Sequence, residues 1–209
     1  HEVVRIAGLA TGPVSPEQWG SKPQTTDFFD IKADVEALLA LAGDAASISF
    51  AAAEHPALQP GQAAEVMRNG DVIGVLGKLH PRLAKAYDIK KAVYLFELDA
   101  EKMLASAAPC AETISKFPAI RRDIAVIVDD QVSAAALVDT VAEAAPELIR
   151  DVRIFDIYKG ERIEAGRKSV AIGLILQETS RTLTDEDADT AMAAAIAKLE
   201  DKFAAELRD

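Results

Sequence analysis

Apolar residues recur at every second position through Val170, Ile172, Leu174 and Leu176, with Ser169, Ala171 and Gly173 between them. That alternation predicts a strand with one greasy face, to be covered by helices, and one small, partly polar face. The preceding run, Arg153–Tyr158, predicts a partner strand. Read with the same period, it puts Phe155 and Ile157 on one side and Ile154, Asp156 and Tyr158 on the other.

The rest of the C-terminal half builds around this pair. Ile124–Val128 predicts a strand, and Ser133 caps a helix to about Ala145 with Leu137 and Val141 inward. Thr184, with Asp187 three residues on as a short-armed capping box, starts a long helix. Its apolar stripe is Ala188, Met192, Ala195, Ile196, Leu199 and Phe203. A short last strand ends near Arg208. The order is β-α-β-β-α-β, a ferredoxin-like unit with two helices on one face of a sheet and the other face open.

The N-terminal half predicts a mainly antiparallel sheet with helices. VVRIAGLATG opens it as a strand, and a loop with Pro13, Pro16, Trp19 and Pro23 follows. Asp27 caps a helix to about Ala42, which Gly43 ends. Ser47–Ala53 is a strand. Ala63–Arg68 and Val72–Leu79 flank Asn69-Gly70, a strong hairpin signal. Pro81 opens a short helix, and Ala92–Asp99 is another strand. Ala105–Glu112, small-residue-rich with one proline, is the expected linker. The fold class is therefore α+β in two domains, 1–110 and 115–209, as the length of 209 residues also suggests.

Composition narrows the function. The net charge of −11 argues against a non-specific nucleic-acid binder, whose affinity comes mostly from phosphate contacts. It leaves room for a local site, because residues 115–182 are nearly charge-balanced and the acidity of the C-terminal half lies mainly in its last helix. No segment approaches the roughly 20 apolar residues of a membrane span, so no membrane partner is expected. Cys110 is the only cysteine, which excludes a disulfide framework and fits a cytoplasmic location. His1 rather than Met at the start predicts a processed or truncated piece of something longer.

Catalytic constellations are mostly absent. His1, His55 and His80 have no partners at metal-ligand spacing, and His80 before Pro81 is expected to order a helix start. There is no phosphate-binding loop, and Gly74 and Gly77 in a strand pattern predict close backbone packing. The open sheet face is different. Ala125, Asp156, Tyr158, Ser169, Ala171 and Gly173 can share it. Arg121 stands at its edge and Arg122 on the opposite side. Tyrosine can stack a base, Asp and Ser can hydrogen-bond base edges, and arginine can meet phosphate. The same face can equally dock a neighbouring domain. The RNP1 pattern of RNA-binding sheets, with two aromatics on a strand, is absent.

Ile114–Val128 (ISKFPAIRRDIAVIV), Phe155–Gly160 (FDIYKG), Gly166–Gln177 (GRKSVAIGLILQ) and Arg181–Asp187 (RTLTDED) resemble the C-terminal anticodon-binding domain of bacterial phenylalanyl-tRNA synthetase β subunits. RIAGLATGP, PEQWG, DFFDIKADVEALL, PGQAAEV, IGVLGKLHP and VYLFELD resemble the catalytic-like module that precedes it. Departures are Gln59 where many relatives have histidine, Ala33 where they have glycine, and Asp187-Ala188 where Glu followed by Val or Ile is usual.

The resemblance implies a non-catalytic, class II synthetase-like segment over 1–110 and a ferredoxin-fold anticodon-binding domain over 115–209. It implies an α2β2 phenylalanine–tRNA ligase whose α subunit joins phenylalanine to tRNA-Phe. ATP and Mg2+ would serve the whole enzyme and no cofactor this chain. The partners would be the α subunit and tRNA-Phe, with no DNA and no membrane. Tyr158 would stack an anticodon base, with Asp156, Ser169 and Arg121 around it, and no residue here would be catalytic. The competing reading from a different class is an amino-acid-sensing regulatory module, which shares the β-α-β-β-α-β order.

Overall fold

The computed structural model describes residues 2–43, 47–105 and 114–208. The chain divides into two compact units, His1–Ala111 and Glu112–Asp209. Most of the expected linker, from Ser106 on, and Cys110 within it, lies outside the described residues.

The first unit is a five-stranded antiparallel sheet in the order β1-β5-β4-β3-β2. Its strands are β1 (Arg5–Thr11), β2 (Ile48–Ala52), β3 (Leu58–Arg68), β4 (Asp71–Leu79) and β5 (Val93–Asp99). Helix α1 (Phe28–Ala40) lies on one face, where Ile31, Val35 and Leu39 bury against Val66, Leu76 and Leu98. Asp27 caps α1 as expected, and Asp30 returns the bond to the Asp27 N–H. The hairpin turns at Asn69-Gly70, both with positive φ. Strand β3 starts earlier than the sequence pattern predicts, with an irregularity between Leu58 and Ala63 where Pro60-Gly61 interrupts the pairing. His80 caps α2 (Pro81–Ala86), its Nδ1 accepting from the Arg82 N–H at 3.1 Å. Helix α3 (Ala100–Leu104) follows β5 directly, capped by Asp99. The alternating pattern gave no sign of α3, because a five-residue helix has too few turns to show a period.

The second unit is a four-stranded antiparallel sheet in the order β7-β8-β6-β9. It comprises β6 (Ile120–Asp129), α4 (Ala134–Ala142), β7 (Ile149–Tyr158), β8 (Arg167–Leu176), α5 (Asp185–Phe203) and β9 (Glu206–Leu207). This is the β-α-β-β-α-β order, with β8 between the two strands that α4 connects. The core lies between the sheet and its helices. Ile124, Val126 and Val128 of β6 and Val170, Ile172, Leu174 and Leu176 of β8 meet Leu137 and Val141 of α4 and Ala188, Ala191, Ala195 and Leu199 of α5. Alanine at three of the four α5 positions lets that helix sit close to the sheet. Because the helices occupy one side only, every residue in alternate register is left on the other.

The start of α5 is fixed electrostatically. Thr184 Oγ1 accepts from the Asp187 N–H while Asp187 accepts from the Thr184 N–H, and Arg181 grips the same carboxylate with Nη1 at 2.6 Å and Nη2 at 2.9 Å. The Arg181 guanidinium, then the Thr184 backbone N–H and hydroxyl, hold the Asp187 carboxyl far below the usual carboxylate range. The native state therefore binds this proton more weakly than the unfolded chain does. The resulting stability is present above the unfolded value near 4 and is lost as the pH falls below it. Asp187→Asn is expected to lower the melting temperature at pH 7 and to cost progressively less below pH 4. Melting curves across pH 2–7 check this, and a pH-independent difference between the two proteins contradicts it.

Candidate nucleic-acid interface

Register assigns the open face residue by residue. Across β6, β8 and β7 the paired sets are Arg121–Ile175–Asp151, Asp123–Gly173–Arg153, Ala125–Ala171–Asp156 and Ile127–Ser169–Tyr158. All point away from the helices. A bulge in β7 between Ile154 and Asp156 interrupts the alternation. It corrects the simple period-2 reading at two positions. Ile154 pairs with Ile172 and packs against the core, and Phe155 leaves the helix side and stands 53% exposed beside Arg121. Ile157 returns to the helix-side register opposite Val170, near the end of an edge strand where it is half exposed.

Tyr158 ends β7 and is 38% exposed. A Cβ at Gly160 would stand 2.2 Å from the Tyr158 hydroxyl oxygen and 2.4 Å from Cζ. The ring thus leans over the bare glycine two residues on. The Arg208 guanidinium carbon lies 5.3 Å from the ring centroid, within cation–π range. Arg208 comes in from the chain end beyond β9, where its N–H donates to the Ala125 carbonyl, and its Nη1 donates to Ser169 Oγ at 3.1 Å. Ser169 is therefore on the expected face but only 4% exposed, its hydroxyl engaged by Arg208. Asp156 is exposed, and its carboxylate has no partner among the described residues. Lys159, next to Tyr158, lies 2.5 Å from Asp130 and holds that carboxyl below its ordinary range.

Arg121 is not ahead of the first strand but inside it, because β6 begins at Ile120. Its Nε donates to Asp123 Oδ1 at 2.8 Å. A Cβ on Gly173 would come within 3.0 Å of Asp123 Oδ1 and 3.3 Å of Arg121 Nη2, so the missing side chain seats this pair on the sheet. Arg122 lies on the helix side, bonded to Asp185. Arg153 is exposed and pairs with Asp151 at 2.6 Å. Exposed pairs of this kind contribute about 0–1 kcal/mol, so neither arginine is held firmly by its carboxylate. Arg121, Arg153 and Arg208 thus share the open face with Asp123, Asp151 and Asp156, a local charge balance within a chain of net charge −11.

The structure brings Tyr158, Asp156, Ser169 and Arg121 to one face. Sequence reasoning missed Phe155, Arg153 and Arg208. Phe155 had a trace in the sequence. Ile154 and Ile157 are both apolar and three apart, so a strand with both on its buried side needs a bulge between them. Arg208 had none, because only the pairing of β9 with β6 places it over Tyr158.

A four-stranded sheet backed by two helices, with aromatic rings and arginines on its free face, defines a ferredoxin-like domain. Comparison with known proteins agrees. Residues 115–208 match the family described as ferredoxin-fold anticodon binding domain, and residues 1–100 match the phenylalanyl tRNA synthetase beta chain CLM domain. The chain is 43% identical over 98% of its length to a phenylalanine–tRNA ligase beta subunit of Methylococcus capsulatus, covering 26% of that protein. It is 44% identical over 98% of its length to that of Nitrosospira multiformis, covering 25%, and 41% identical over 97% to that of Pseudomonas syringae pv. tomato, covering 26%. The chain belongs to the phenylalanine–tRNA ligase beta subunit family and spans about a quarter of the length of these relatives.

Among the described residues, no group of three or more His, Cys, Asp or Glu side chains is placed to hold a metal ion, and no helix is long and apolar enough to cross a membrane.

Proposed function

We propose that residues 115–209 read the anticodon of tRNA-Phe on the open face of the β7-β8-β6-β9 sheet. The observation that carries this is the Tyr158 ring with Arg208 across it and the free Asp156 carboxylate beside it. One unpaired base stacks on Tyr158. Asp156 accepts from the amino or imino edge of that base. Ser169 holds Arg208 in place, and Arg121 and Arg208 meet the flanking phosphates. The face presents a ring to an unstacked base rather than a helix to a groove, as suits a single-stranded loop.

Residues 1–110 supply subunit contacts as a non-catalytic, class II synthetase-like segment. The large exposed areas of Leu9, Trp19 and Phe29 are compatible with an assembly role. The whole enzyme is a cytoplasmic α2β2 ligase joining phenylalanine to tRNA-Phe, with the chemistry, ATP and Mg2+ held by residues outside this chain. This chain contributes no catalytic residue to it.

The test is binding of tRNA-Phe and of the same tRNA with its three anticodon bases exchanged, to the full-length subunit assembled with its α partner at about 0.15 M salt. The exchanged tRNA is expected to bind at least about tenfold more weakly, because stacking tolerates any base while the hydrogen bond to the Asp156 carboxylate, about 1.5–3 kcal/mol, does not. Equal affinities overturn the anticodon assignment.

A further inference from the structure

The bulge in β7 gives the open face a second ring. Phe155 is half exposed, and the Arg121 guanidinium carbon lies 5.3 Å from its ring centroid. Arg121 is itself steadied by Asp123 and by the bare Gly173 beneath it. The core does not account for Phe155, because Ile154 fills the helix side at that point. Phe155 and Tyr158 are three residues apart in sequence, but the bulge absorbs one of them. The two rings thus stand on the open face of one strand, on either side of Asp156, each with a planar arginine against it. Two such rings on a four-stranded sheet are what lets RNA-recognising sheets stack two or three bases at once.

We propose that Phe155 with Arg121 is a second base-stacking platform, so that the open face takes two unpaired nucleobases of one RNA loop, one on Tyr158 and one on Phe155. Three strand residues span about 10 Å at most, whereas stacked bases lie about 3.4 Å apart. The two bases are therefore splayed from each other, each on its own ring. Arg153, exposed at the next open-face position, meets the phosphate on the Phe155 side. The platform rests on the reading of this face as an RNA surface.

The test uses the anticodon stem-loop of tRNA-Phe with 2-aminopurine at one loop position at a time, titrated into the full-length subunit assembled with its α partner. Two loop positions are expected to change fluorescence on binding. Phe155→Ala abolishes the change at one of them and weakens affinity about 5- to 150-fold, while the Tyr158-dependent position still responds. Phe155→Trp retains both signals. The exposed position leaves melting of the Ala variant unchanged, which separates lost stacking from lost folding. If Phe155→Ala keeps both signals and full affinity while Tyr158→Ala weakens binding, the second platform is wrong and the RNA reading stands. If neither substitution alters affinity, both are wrong.

Discussion

Replacing Tyr158 with alanine weakens binding of the tRNA-Phe anticodon stem-loop by about 5- to 150-fold, the loss that removal of one base-stacking ring brings. Tyr158 is more than a third exposed and ends an edge strand, so removal of its ring opens no cavity in the core. Stability is expected to change by no more than about 0.5 kcal/mol. Arg208 loses its cation–π partner but keeps its bond to Ser169, so the phosphate contacts persist. The salt dependence of binding is therefore preserved while the affinity falls. Tyr158→Phe keeps the ring and binds within a few-fold of the parent. Tyr158→Leu keeps apolar bulk without a flat π-face and behaves like the alanine variant. Titrations at several salt concentrations, with melting curves alongside, separate these outcomes.

Gly74→Ala is expected to have the largest effect on stability. Gly74 pairs with Leu98 across β4 and β5, and a Cβ there would stand 2.3 Å from the Glu97 carbonyl oxygen and 2.6 Å from Leu98 Cδ2. The first contact is backbone, so no rotamer relieves it and the two strands must part. Overpacking of this kind costs about 1–3 kcal/mol, occasionally more. In a unit of this size that corresponds to a fall in melting temperature of about 4–8 °C for each kcal/mol. Gly173→Ala provides the contrast. Its nearest atoms, Asp123 Oδ1 at 3.0 Å and Arg121 Nη2 at 3.3 Å, are the ends of exposed side chains that can move. Thermal melting is expected to show a large shift for the first variant and almost none for the second.

Much of the architecture was legible because it rests on local rules. Asp27, His80, Ser133 and Thr184 all cap the helices their positions announced, and Asn69-Gly70 turns the hairpin. The alternation in β8 put Ser169, Ala171 and Gly173 on the free face because nothing interrupts that strand's register with β6. Strand β7 was harder. One inserted residue exchanges the sides of Ile154 and Phe155 while leaving Asp156 and Tyr158 where the alternation had them. The start of β6 was hidden because Arg121-Arg122-Asp123 is polar on both faces, Arg122 reaching out from the helix side to Asp185. Arg208 over Tyr158 depends on a pairing between the chain end and β6, which local pattern does not encode. The residues most relevant to the free face were thus the ones set by long-range pairing.

The most direct measurement is nuclear magnetic resonance mapping of the 209-residue chain as the anticodon stem-loop is added in excess. The expected result is a set of shifts confined to the open face: the Tyr158 and Phe155 ring protons, the Arg121 and Arg208 side-chain N–H groups, and the Ala125 and Ala171 methyls. The methyls of Leu137, Val141 and Leu199 on the helix side stay in place. Shifts centred on the helix side or on residues 2–105, with the Tyr158 ring unmoved, contradict the account.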